Sequence, residues 1–413
     1  DKICLCETRE CTPEACPYAN GYYARIKGAL WDVLDVPCLT AETLQEYAKR
    51  HTVCPFELGL DSSLWSDVII GDYNYLFDPV VHLLLFFESA GYYIFLVDEA
   101  HNLPGRAREM HSAALTKTSF YEAKKLLGKG KSSLKNALTK VNDVFIEWRH
   151  RAEEETAARD GRFGKTFFLK ERSEEFDHLL NRLCEPLEAW LDAHREPDET
   201  HTALLQLYFD VRAWLRVADT FDDHFVLQIT ASGSEVRAAQ LCLDPSAFLA
   251  DSFALGRAAV LFSATLAPAS YYKDLCGVPE ARAVALRSPF PAGNQGLFCI
   301  GNVSTRYKDR DASLAIVEES LATMVRARCG NYLAFFPSYA YMEQAYAQFK
   351  EHCPEINCIK QENAMDEQQK AAFLAQFVPG PSQSLLGFAV MGGVFGEGVD
   401  LTGDRLIGVG IVG

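Results

Sequence analysis

Apolar residues along the chain fall into short unbroken runs and stripes at helical spacing. The sharpest run is Tyr92, Tyr93, Ile94, Phe95, Leu96 and Val97, which stops abruptly at Asp98-Glu99-Ala100-His101. Such a run predicts a buried central strand of a parallel sheet, ending at the edge where these sheets hold their ligands. Val260-Leu261-Phe262, followed by Ser263-Ala264-Thr265-Leu266, predicts a second buried strand ending in small hydroxyl residues. Further on, Asn331 to Phe336 and Leu385 to Met391 are strand patterns, Ser338 to Phe349 is a helix, and Arg405 to Val412 is strand-like again. Alternation of this kind predicts an α/β protein with parallel sheets.

The stripes locate helices. Gly21 to Leu34, Ala41 to His51 and Asp78 to Phe87 have helical patterns, with Trp65 to Gly71 a strand candidate between them. From Thr116 to about Asp219 the texture changes to long amphipathic helices. Leu134, Leu138, Val141, Phe145 and Trp148 form one stripe, and Phe176, Leu179, Leu180, Leu183, Leu187, Trp190 and Leu191 a second. Leu204, Leu205, Tyr208, Val211, Trp214 and Leu215 form a third. These are core faces of a helical domain. Arg151 to Lys165 reads as a charged linker at its mobile tip. Phe225 to Ile229 and Arg237 to Leu243, joined across Ala231-Ser232-Gly233-Ser234, predict a hairpin that returns to the first α/β domain, followed by a helix near Pro245 to Leu255.

Length and composition narrow the classes. The 413 residues leave room for two or three domains, and 48% hydrophobic with 23% charged residues is ordinary for a globular protein. No secretory signal pattern opens the chain and no apolar run is long enough to span a bilayer, so the expected compartment is the cytoplasm. A net charge of -16 excludes bulk electrostatic coating of nucleic acid, and any such contact must be local. Thirteen cysteines, an odd number, do not read as a disulfide framework.

The candidate chemistry sits at a few places. Asp98 and Glu99 suit a hydrated magnesium nucleotide, the first holding the ion through water and the second activating an attacking water. The same pair also reads as a helix start with Asp98 as N-cap. Cys4, Cys6, Cys11 and Cys16, then Cys38 and Cys54, are the densest cysteines, and thiolates in sets of four suit zinc or an iron-sulfur cluster. Buried small hydrophobes are the other reading. Tyr73 and Tyr75 read either as a base-stacking platform or as core. Lys124, Lys125, Lys129, Lys131, Lys135 and Lys140, loosened by Gly128 and Gly130, read as a phosphate-binding patch or as a solvated face. Four glycines in Gly392-Gly393-Val394-Phe395-Gly396-Glu397-Gly398-Val399-Asp400 would let backbone amides approach a phosphate.

Asp-Glu-Ala-His at 98–101, followed in order by Ser263-Ala264-Thr265, resembles motifs II and III of superfamily 2 helicases. With Lys2-Ile3-Cys4, Glu10-Cys11, Cys16-Pro17-Tyr18-Ala19, Val53-Cys54-Pro55-Phe56-Glu57 and Asp72-Tyr73-Asn74-Tyr75-Leu76-Phe77-Asp78-Pro79, the chain resembles the XPD/DinG-type iron-sulfur DNA helicases. Phe335-Phe336-Pro337-Ser338-Tyr339 is similar to motif IV of that family, and the glycine-rich run to motif V.

The resemblance implies two RecA-like parallel-sheet motor domains, both incomplete, with an iron-sulfur insertion and a helical arch insertion in the first. Residues 1–62 would be the iron-sulfur domain, 63–115 the motif II part of motor domain 1 and 116–222 the arch, one wall of a passage for single-stranded DNA. Residues 223–282 would be the return of motor domain 1 and 283–413 motor domain 2. It further implies a [4Fe-4S] cluster on Cys4, Cys11, Cys16 and Cys54, with Cys6 the rival for the first position. Mg2+ and ATP would lie at Asp98 and Glu99 as catalytic residues, with His101, Ser263, Thr265, Glu397, Gly398 and Asp400 coupling nucleotide to DNA. Single-stranded or forked DNA would meet Tyr73, Tyr75, Lys124, Lys125, Lys129 and Lys131, with 5' to 3' movement as in the family.

Two family pieces are not found: the Gly-x-x-x-x-Gly-Lys-Ser/Thr loop and an arginine-rich motif VI. The chain therefore reads as an excerpt of a longer protein, inactive alone as an ATPase. Two alternatives stand beside the helicase: a non-catalytic metal-bearing DNA-binding module, and a nuclease on the same scaffold.

Overall fold

A computed structural model of the protein describes residues 4–6, 11–130, 132–158, 165–196, 198–396 and 398–413. It forms two compact units, Asp1–Ala285 and Leu286–Gly413. The first unit carries strands β1 (Ile94–Val97), β2 (Ala113–Thr116), β3 (Thr166–Leu169), β4 (Phe225–Ser232), β5 (Glu235–Cys242) and β6 (Ala258–Leu261). The second carries β7 (Asn331–Phe336), β8 (Asn357–Lys360), β9 (Leu385–Val390) and β10 (Gly408–Ile411). Among the described residues no helix is long and apolar enough to cross a membrane.

The expected α/β class holds, with parallel pairing in each unit. β1 and β6 pair in parallel, Ile94 opposite Ala258 through Val97 opposite Leu261. Only alternate residues of this pair are covered, because strand side chains alternate between faces. Phe95, Val97, Ala259 and Leu261 pack with Leu103, Leu249 and Phe253, whereas Ile94, Leu96 and Val260 remain exposed. The run read from sequence as buried on both sides therefore has one covered face among the described residues. Trp65 to Gly71, expected as a strand, pairs with nothing there, and Val68, Ile69 and Ile70 are exposed. The helix expected from Asp78 to Phe87 is reduced to Leu84–Phe87, after a separate turn of helix at Asn74–Phe77.

The hairpin β4–β5 lies in the same unit as β1 and outside its sheet. It builds a separate antiparallel sheet of order β2-β5-β4-β3, in which β3 was not anticipated. The inward face of this sheet, Leu115, Phe167, Leu227, Ile229 and Ala238, closes over the stripes of helices Ser133–Ala158, Glu174–Ala193 and Glu199–Thr220. The three helical stripes and the hairpin thus share one core. The linker expected from Arg151 to Lys165 is helical as far as Ala158, and residues 159–164 lie outside the described residues.

Inside that core Asp177 is a buried carboxylate. Trp214 Nε1 donates to its Oδ1 at 2.8 Å, Arg172 stands 3.9 Å from Oδ2, and Oδ2 has no hydrogen-bond partner. Burial raises its pKa above the ordinary 3.8, against the opposing pull of Trp214 and Arg172. A raised folded-state pKa means that the stability from the neutral acid is full below the unfolded value and is lost as pH rises through the folded value. Asp177→Asn keeps an acceptor for Trp214 and removes the charge. It is expected to raise stability at neutral pH by about 1 kcal/mol and to flatten the acid-range pH dependence in urea titrations; a destabilised variant with unchanged pH dependence would refute this account.

The second unit has a fully parallel sheet of order β10-β7-β9-β8. Tyr332, Ala334, Phe336, Leu386, Phe388 and Val390 face helices Arg310–Ala327 and Tyr339–His352. Leu333, Leu385 and Ala389 face Phe373, Phe377 and Phe395 on the other side. Coverage on both faces explains why these two strands are apolar from Tyr332 to Phe336 and from Leu385 to Val390.

Candidate nucleotide site and cysteine cluster

The ends of β1 and β6 bring the two short blocks of sequence together. Phe262 N–H donates to Val97 O at 3.0 Å and Ala100 N–H to Phe262 O at 3.1 Å, extending the ladder beyond the strands. There Ser263 Oγ donates to Glu99 Oε2 at 3.1 Å, and His101 Nδ1 lies 2.8 Å from Ser263 Oγ and 3.2 Å from Glu99 Oε2. Thr265 N–H donates to Ser263 Oγ at 3.2 Å. Glu99, His101, Ser263 and Thr265 are therefore one hydrogen-bonded group, although some 160 residues separate the two blocks.

Glu99 has φ 45, a left-handed backbone conformation that costs a non-glycine residue energy and recurs at functional sites. Its N–H is held by Asp98 Oδ1 at 2.7 Å, and its carbonyl accepts from Asn102 N–H at 2.9 Å. Asp98 and Glu99 are both exposed at this edge, open to a ligand and its water. The sequence also allowed Asp98 as a helix N-cap, but the helix here begins at Leu103 with Asn102 at its cap.

Tyr73, expected as a base-stacking residue, is half-buried with its hydroxyl donating to the Asp98 carbonyl. Its ring meets Phe77 edge-on at 6.3 Å. Burial, then the charges of Asp98 and Glu99, raise its pKa, so the phenol stays a donor. Tyr75 is half-buried, against Gly71. No pattern in the sequence signalled that Tyr73 buttresses the carboxylate pair.

Around the cysteines, helices Tyr22–Val33, Ala41–His51 and Pro55–Ser63 share a small core of Tyr22, Ile26, Ala29, Ala48, Val53 and Leu58. Cys16 is buried, Cys4 and Cys11 are exposed, and Cys54 is half-buried at the cap of helix Pro55–Ser63. Burial and the neighbouring Cys6 thiol push Cys16 up, opposed by the amides of Ala19 and Tyr18 directed at its sulfur. Arg25 joins the two segments: it donates to Pro17 O at 3.1 Å, to Asn20 O, and to Thr52 O at 2.7 Å. Arg25 was not singled out from sequence, where it is one cation in a helical pattern. Among the described residues no group of three or more His, Cys, Asp or Glu is gathered closely enough to hold a metal ion. The paired thiols and sulfur-directed amides fit thiolate ligation in kind.

The lysines are surface residues. Lys124 and Lys125 end helix Lys117–Leu126, Lys129 is exposed, and Lys135 Nζ turns back onto the carbonyls of Gly128 and Gly130. Lys131 and Glu397 lie outside the described residues. In the second unit Gly398 and Asp400 are exposed, and Arg405 Nη1 lies 3.5 Å from the Asp400 carbonyl.

Comparison with known proteins adds a second line. A family model named DEAD_2 matches residues 1–120, and one described as a helicase C-terminal domain matches residues 321–413, together a little over half of the chain. The "ATP-dependent DNA helicase CHL1" of Coccidioides immitis is 21% identical over 424 residues, covering 90% of this chain and 48% of its own length. The "General transcription and DNA repair factor IIH helicase subunit XPD" of Schizosaccharomyces pombe is 24% identical, covering 75% of this chain and 49% of its own. The chain thus spans about half the length of these curated relatives. The solved structure of S. tokodaii Xpd4 aligns with a TM-score of 0.46 at 15% identity, covering 91% of this chain and 75% of that one.

Proposed function

The chain belongs to the XPD/DinG-type superfamily 2 helicases, and on that premise we propose that its full-length protein is an ATP-dependent DNA helicase moving 5' to 3' on single-stranded or forked DNA. The hydrogen-bonded group of Glu99, Ser263 and His101 at the ends of two parallel strands carries this reading. A carboxylate that must activate water, tied to a residue of another segment, can pass on the state of the nucleotide. A non-catalytic binding module would leave that group and the left-handed Glu99 without a task.

In the mechanism, Mg2+ neutralises phosphate charge when bound with ATP. Asp98 would hold the ion through its water shell, and Glu99 would accept a proton from the attacking water. Ser263 and His101 orient the Glu99 carboxylate, and their hydrogen bonds change when its charge does. Thr265, two residues on, donates its N–H to Ser263 Oγ and would relay the change along its segment. Gly398 and Asp400, with Glu397, would serve the same coupling from the second unit. The surface lysines Lys124, Lys125 and Lys129 would meet phosphates of the strand. Strand displacement and DNA-stimulated ATP hydrolysis by the full-length protein test the reading; neither activity on forked or single-stranded DNA would refute it.

We also assign a [4Fe-4S] cluster to Cys11, Cys16 and Cys54 with Cys4 or Cys6. The support is the contact of Cys6 with Cys16 and the Arg25 link between the Cys16 and Cys54 segments. Iron and acid-labile sulfide after anaerobic purification are expected at about four of each per chain. Cys16→Ser is expected to lose both, whereas stoichiometric zinc without sulfide would overturn the cluster.

A further inference from the structure

Gln361 is 1% exposed and lies just past β8, at the carboxyl edge of the second unit's sheet. Its N–H continues the ladder to Phe388 O at 2.8 Å. Its side chain then reaches two neighbouring segments. Nε2 donates to the Tyr339 hydroxyl at 2.7 Å, and Oε1 accepts from Val390 N–H at 3.0 Å. A backbone N–H can only donate, so the oxygen must face Val390 and the orientation of the amide is fixed.

A third neighbour is Gly393. A Cβ there would stand 3.1 Å from Gln361 Nε2, 3.3 Å from Oε1 and 2.9 Å from Val390 O. The amide therefore lies directly against the turn that opens the glycine-rich loop, in which Gly393 N–H bonds Val390 O at 3.0 Å and Gly396 N–H bonds Gly393 O at 2.9 Å. Tyr339, at its other end, opens helix Tyr339–His352 just after the capping Ser338. The segments after β7 and β9 are thus tied through one buried side chain of a third strand end.

We propose that Gln361 is a positioning residue, holding the Ser338-Tyr339 turn and the glycine-rich loop in one fixed relation for nucleotide-driven work on DNA. The proposal rests on the helicase reading. Nothing else in the described residues bonds the side chain of Tyr339 to the start of that loop. Removing the amide leaves the buried Val390 N–H without its side-chain acceptor and frees the loop to shift. Displacements of about 1 Å at catalytic surfaces cost large factors in rate.

The test uses Gln361→Leu, Gln361→Glu and Tyr339→Phe in the full-length protein, with kcat and KM for ATP measured with single-stranded DNA and unfolding midpoints measured alongside. Gln361→Leu is expected to lower DNA-stimulated kcat about tenfold with KM nearly unchanged. Gln361→Glu should recover most of it as the neutral acid that burial favours, since its carbonyl oxygen still accepts from Val390 N–H and its O–H donates to the Tyr339 hydroxyl. Tyr339→Phe should cost less, and should add nothing to Gln361→Leu, because the two act through one bond. Unchanged kcat in Gln361→Leu below its unfolding midpoint, or no recovery in Gln361→Glu, would overturn the proposal. A wild-type protein without DNA-stimulated ATPase would overturn the helicase reading itself and this inference with it.

Discussion

Glu99→Gln in the full-length protein is expected to lower DNA-stimulated ATP hydrolysis about a thousandfold, with KM for ATP within a few-fold of wild type. Gln has the size of Glu and retains an oxygen that can accept from Ser263 Oγ, which lies 3.1 Å from the native carboxylate. It cannot take a proton from water. The loss should therefore fall on the chemical step, because the missing interaction belongs to the transition state. Steady-state kinetics at saturating DNA decide the point. A loss under tenfold, or one confined to KM, would reassign Glu99 to a structural role beside His101.

Trp214→Ala is expected to be the most damaging change to the core shared by the three long helices and the β2-β5-β4-β3 sheet, at about 3–5 kcal/mol. The indole is fully buried and meets Phe176 edge-on at 5.4 Å. Its N–H is also the hydrogen-bond donor to Asp177 Oδ1, so truncation leaves both a cavity and a buried carboxylate stripped of its main partner. Hydrogen exchange in helices Glu174–Ala193 and Glu199–Thr220 reports this locally, without requiring the two units to unfold together. Protection of those helices within about 1 kcal/mol of wild type would show that the core repacks around the gap. Comparison with Asp177→Asn separates the cavity from the charge.

Much of this architecture was legible in the chain. The helical stripes were readable because 3.6-residue periodicity is local, and Leu134, Leu138, Val141, Phe145 and Trp148 all enter one core. The strand Asn331–Phe336 was readable for a related reason: a central parallel strand is apolar on both faces. The β4–β5 hairpin was recognised as a hairpin, but its partners were not. Alternation reveals which face of a strand is covered and leaves open which element covers it. β3 was missed because four residues beside a charged segment carry too little pattern to separate strand from coil.

At the candidate site, the sequence by itself determined which residue types could do the chemistry and in what order they occur: Asp98-Glu99-Ala100-His101, then Ser263-Ala264-Thr265, with the early cysteines ahead of both. Motifs of this kind are readable because their chemistry demands particular side chains at short spacing. Only the tertiary structure decided that Ser263 reaches Glu99 and His101, that Tyr73 turns from open solvent to the Asp98 carbonyl, and that Arg25 and Gln361 each join segments far apart in the chain. Those are hydrogen bonds between single polar side chains and distant partners. A lone Arg, Tyr or Gln leaves no periodic trace, and its partner exists only once the strands have paired and brought their ends to one edge.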